Sequence, residues 1–168
     1  MIFGRAFLDG IIFSILFGGM ITIMEAINPR LQLHNYPASI RKTVAPKTYA
    51  EQKRFKMLAI PMVIVLLIYF VGTVVQTYSK VEPNYLTLFF HSFIMVMLWN
   101  AFDLLIMDWL IFCTITPKFI VIPGTEGNPS YKDYKYHING SFGKGLMLAI
   151  IIATFFAGVV FVILRIFF

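Results

Sequence analysis

Residues Tyr85–Thr114 read YLTLFFHSFIMVMLWNAFDLLIMDWLIFCT, an apolar run interrupted only by a few polar groups, His91, Asn100, Asp103 and Asp108 among them. A helix of this length covers about 45 Å at ~1.5 Å per residue, more than the ~30 Å hydrocarbon core of a bilayer. The in–out alternation of a barrel strand is missing, so the run reads as a spanning helix. Two carboxylates in such a segment are costly unless they lie at its edge or meet a partner.

Three more runs resemble it: Ile2–Met24, Met57–Thr77 and Gly145–Phe168. The composition agrees, at 59% hydrophobic and 13% charged residues with a mean hydropathy of +0.80. A soluble domain of this size carries about 25% charged residues. The expected fold is therefore an all-α integral membrane protein: one transmembrane domain, a four-helix bundle over residues 1–168. The uninterrupted core of the first run, IIFSILFGGMITIM, is only 14 residues long, and Arg5 and Asp9 precede it. Their i, i+4 spacing lets them pair on a helix. It reads as a retained span, because no small-residue cleavage site follows it. The single cysteine, Cys113, excludes an internal disulfide and paired-thiol redox chemistry.

The connections differ in charge. Loop one (Glu25–Lys56) holds seven of the 14 basic residues and loop three (Ile115–Lys144) holds four, while YSKVEPN between the second and third runs is a short hairpin. Loops one and three, each about 30 residues, lie on the same side, which the positive-inside rule makes cytoplasmic. A multi-pass cell-membrane protein with both termini outside is expected. Asn139-Gly140-Ser141 matches a glycosylation sequon but falls on the cytoplasmic side, and Asn139-Gly140 reads as a turn. The basic residues lie in the loops between apolar runs, so the net charge of +6 does not point to nucleic acid.

Depth arithmetic then places the acids. Counted from the outer end, Asp103 lies ~27 Å along its helix, and Asp108 and Glu25 lie ~35 Å along theirs. All three reach the inner boundary, where the helix dipoles are already negative. A cation should answer them. Arg30, five residues past Glu25, is one candidate; a bound divalent metal ion or a cationic ligand group is the other. At about 100° per residue, Asn100 and Asp103 are ~60° apart and share a face, whereas Asp108 is ~140° from Asp103. His34 and His137, in loops one and three, complete a weak metal set with Glu25 and Asp103; no HExxH-type spacing supports it. Glu25 and Asp103 are also candidates for general acid–base catalysis. His91, in the outer leaflet, is expected to hydrogen-bond a neighbouring helix.

In loop three, FIVI is β-like, PGTEGNP is a turn cluster, and Tyr131, Tyr134 and Tyr136 interleave with Lys132 and Lys135. That composition suits the membrane interface and contact with anionic lipid headgroups. The end of loop one reads as a basic amphipathic stretch on the membrane surface. Gly145, Ala149, Ala153 and Ala157 form a small-residue stripe on the fourth helix. It suits close packing against a helix of the same chain, with Gly18-Gly19 and Gly72 as matching surfaces; the alternative is a seam for a homo-oligomer or membrane complex.

Three function classes compete. A protein that binds or processes a headgroup-like or small polar ligand in an acidic, cation-attracting pocket at the cytoplasmic leaflet fits best. A structural or accessory subunit of a membrane complex is the second. The third, a small oligomeric transporter or channel, is disfavoured within one protomer because the second and fourth helices carry so few polar groups.

Overall fold

Four helices are long and apolar enough to cross a membrane: Phe3–Ile27, Tyr49–Tyr78, Tyr85–Ile115 and Leu146–Phe167. They are seen in a computed structural model that describes residues 3–168, with the backbone alone at 143 and 144. The expected helix start at Ile2 lies outside the described residues, as does the side chain of Lys144. No strand occurs among the described residues. We number the α-helices α1 (Phe3–Ile27), α2 (Ala38–Thr43), α3 (Tyr49–Tyr78), α4 (Tyr85–Phe102), α5 (Tyr134–Asn139) and α6 (Leu146–Phe167).

The ends of these helices differ from the hydropathy boundaries for local reasons. α3 begins at Tyr49, eight residues before Met57, because Thr48 and Glu51 form a capping box that satisfies the first free N–H groups. The stretch expected to lie on the membrane surface is thus the first two turns of α3. Past Phe102 the third span changes to π-helical hydrogen bonding over Asp103–Ile115 and ends at Thr116 in a left-handed conformation, φ 46°. A π-helical turn, Gly140–Gly145, joins α5 to α6, so the Asn139-Gly140 turn expected from the sequence is instead a helical junction.

In the half of the bundle near the hairpin, backbones approach closely. A side chain added at Gly10 would come within 3.1 Å of the Met95 Cα, which locks α1 against α4. Ala149, Ala153 and Ala157 are fully buried along α6, and at the loop end of the same helix Gly145 sits against the Asn100 side chain. The small-residue stripe is consumed inside the chain by α4, which leaves it unavailable as a seam between copies. Its mate is not the glycines expected: Gly18 faces Phe102 and Met107, and Gly19 and Gly72 face open space.

At the other end the connections fold into a small cap with its own core. Leu33, Tyr36, Ile40, Phe112, Cys113, Ile120, Ile122 and Tyr131 pack together there. Tyr36 donates to the Ile120 carbonyl at 2.8 Å. Tyr131 accepts from the Ile122 N–H at 2.9 Å and shares a 2.7 Å hydrogen bond with Thr125. FIVI keeps its alternate burial, with Ile120 and Ile122 inward, but has no partner strand and forms a turn.

Candidate functional site

A cavity of about 990 Å³ opens in the loop-end half of the bundle. α1 and α4 form its floor, α3 and α6 its sides, and the cap its end. Along α1 it runs from Phe13 to Glu25, ~18 Å at ~1.5 Å per residue. Its lining is segregated. Phe13, Phe70 and Phe156 close the apex, with ring centroids 5.4 Å apart (Phe13–Phe70) and 4.7 Å apart (Phe70–Phe156). Phe17 and Trp99 stack at 4.2 Å on the floor below it. The polar lining lies at the cap end: Glu25, Asn100, Asp103, Asp108, Tyr136 and His137, with His34 at the rim.

The π-helix explains why both aspartates face this space. Its hydrogen bonds join residues five apart, so such residues stack over one another; Thr114 Oγ1, for instance, bonds the Trp109 carbonyl at 2.7 Å. Asp103 and Asp108 therefore share a face, and the ~140° separation expected of an α-helix does not hold. Asp108 Oδ1 lies 2.9 Å from His137 Nδ1, leaving His137 Nε2 without a hydrogen-bond partner although the residue is 7% exposed.

Glu25 is 8% exposed. Neither it nor the half-buried Asp103 makes a hydrogen bond or ion pair with any described residue. The expected partner, Arg30, is committed elsewhere. Its Nε meets Glu51 Oε1 at 2.6 Å and its Nη2 meets Glu51 Oε2 at 3.2 Å, while Nη2 also reaches the carbonyls of Ala45 and Pro46. Arg30 thus ties loop one to the start of α3, and among the described residues no side chain answers Glu25. A buried carboxylate left alone costs several kcal/mol, so it is either protonated or met by a ligand that donates hydrogen bonds or carries positive charge.

The other expected site residues are placed as follows. Asn100 lines the cavity and donates to the Ser141 carbonyl at 3.3 Å, which fixes the α5–α6 junction. Tyr136 lines the cavity, while Tyr134 bonds Thr114 at 3.0 Å beside Trp109. Tyr131, 3% exposed, is a core residue of the cap and not an interfacial anchor. His34 lies 3.4 Å from Lys47 Nζ; burial first, then Lys47 and Arg41, hold its imidazole below the ordinary pKa. Lys47 is itself bound to the Leu31 carbonyl at 2.6 Å. Among the described residues no three His, Cys, Asp or Glu side chains gather as metal ligands. The set Glu25, Asp103, His34 and His137 is not assembled, because His137 is turned to Asp108 and His34 to Lys47.

Sequence reasoning did not find the apex rings or the pairing of His137 with Asp108. The former are ordinary apolar residues until the helices meet, and the latter depends on the cap. Fold and cavity together define an all-helical bundle with four membrane-length spans and a half-depth, polar-ended cavity. No protein family, no curated protein and no solved structure matches the chain.

Proposed function

We propose that this chain is a membrane protein that binds the cationic, hydrogen-bond-donating group of a headgroup-like or small polar ligand in the cavity at the loop end of the bundle. The observation that carries the reading is Glu25, buried, facing the cavity beside Asp103, and without a partner among the described residues. His137 Nε2 supplies a further unsatisfied polar atom in the same wall. The concentration of lysine and arginine in loops one and three supports a cytoplasmic position for this end.

A conduit through one protomer finds no support in the lining. No cavity residue lies on the hairpin side of Phe13, Phe70, Val96 or Phe156.

The test uses butylamine as the simplest cation and butanol as its uncharged counterpart. Butylamine should raise the melting temperature of the detergent-solubilised protein saturably, and butanol should not. The rise should disappear in Glu25→Gln combined with Asp103→Asn, variants expected to fold. An equal response in the double variant, or none in the natural protein, overturns the reading.

A further inference from the structure

We infer that the occupant of the cavity is an amine-headed lipid of the leaflet on the loop side, with its ammonium beside Glu25 and Asp103 and one chain laid between α3 and α6 toward Phe13, Phe70 and Phe156. The inference rests on the cation-binding reading above and extends it to the whole ligand.

Three features of the cavity lead there. The first is its length, ~18 Å from Glu25 to Phe13, close to the ~15 Å depth of one leaflet's hydrocarbon. The second is segregation. The acids and His137 lie at one end and phenylalanine rings at the other, so a small polar ligand would fill the charged end and leave the apolar arm empty. The third is the mouth. Val63 and Leu67 of α3 and Leu148 of α6 line the cavity, yet they are 49%, 42% and 55% exposed on the outer surface of the bundle. The opening between α3 and α6 therefore faces the hydrocarbon of a surrounding bilayer, and a lipid can enter sideways without leaving its leaflet.

Charge selects the headgroup. Glu25 is 8% exposed and unpartnered, and no Lys or Arg lines the cavity among the described residues. An ammonium offers several N–H donors to carboxylates, whereas an anionic headgroup would meet like charge in a low-dielectric site.

The experiment uses hexadecylamine carrying a diazirine at its chain terminus, added to the full chain in phosphatidylcholine nanodiscs and photolysed. Adducts should concentrate on Phe13, Phe70 and Phe156, and excess unlabelled hexadecylamine, but not hexadecanol, should compete them away. In Glu25→Gln they should fall about tenfold, as for the loss of one charge-assisted hydrogen bond. Ile152 of α6 lines the arm, and Ile152→Trp, which fills it, should remove the adducts while leaving the butylamine-induced melting shift intact.

Adducts confined to lipid-facing residues such as Val65 and Ile68, with the butylamine shift retained, overturn the lipid inference alone. Apex adducts that persist undiminished in Glu25→Gln overturn the cation reading beneath it. Melting curves of each variant separate either result from misfolding.

Discussion

The two halves of this bundle each bury a carboxylate, and they treat it in opposite ways. Near the hairpin, Asp9 is 1% exposed but lies 3.0 Å from Arg5 Nε and 3.3 Å from His91 Nε2. His91 in turn approaches the Tyr78 hydroxyl at 3.3 Å through Nδ1, which joins α1, α4 and α3 through one polar chain. At the loop end, Glu25 is nearly as buried and has no such partner among the described residues. Equal burial thus has two meanings. Where described residues supply the counter-charge, the acid holds helices together; where they supply none, the acid is left to the ligand proposed above.

Substitution should separate the two most sharply. Asp9→Asn strips the centre from an internal charge network and should destabilise the protein by about 3 kcal/mol. Glu25→Gln removes an unanswered charge and should be neutral or stabilising by about 1 kcal/mol in the same detergent unfolding assay. Equal losses in both would mean that Glu25 has a partner within the chain.

Packing should show the same contrast at smaller scale. Gly10→Ala places a methyl 3.1 Å from the Met95 backbone, where the helix itself must shift, and should cost about 1–3 kcal/mol. Gly19→Ala meets open space and should gain up to ~1 kcal/mol from helix propensity. Thermal unfolding of the pair tests whether the α1–α4 seam is tight only on its inner side.

The smallest effect concerns pH. Because the fold disfavours protonated His34, the unfolded chain binds that proton more readily at its ordinary pKa of 6.5. Its contribution to stability is therefore constant well above pH 6.5 and declines as pH falls through that value. The exposed position of the ring keeps the change small. Melting curves of His34→Gln from pH 7.5 to 5.5 should fall less steeply than those of the natural protein.

Much of the fold was legible because lipid imposes simple demands. Long apolar runs with no alternation have one spanning solution, so four helices and the hairpin between the second and third followed from the residues. The i, i+4 pair of Arg5 and Asp9 was visible as well, and so was the bond from His91 to a neighbouring helix. The early start of α3 had a signal that hydropathy overrode: Thr48-Tyr49-Ala50-Glu51 carries a capping box. The site was less legible. Arg30 lies five residues from Glu25 in sequence, yet its guanidinium found a bidentate carboxylate 21 residues away. An α-helix would turn Asp108 away from Asp103, but the chain adopts π-helical bonding over Asp103–Ile115, which brings them to one face.

Sequence by itself determined that this chain needs an apolar solvent, how many of its helices are long and apolar enough to span one, and that acids accumulate near one end of the bundle. Those properties depend on composition and on distance along a helix, both of which are local. Tertiary structure decided which acids are answered. Counter-charge acts across space between segments distant in the chain, so only the packed helices and cap reveal that Asp9 lies between Arg5 and His91 while Glu25 meets no cation among the described residues.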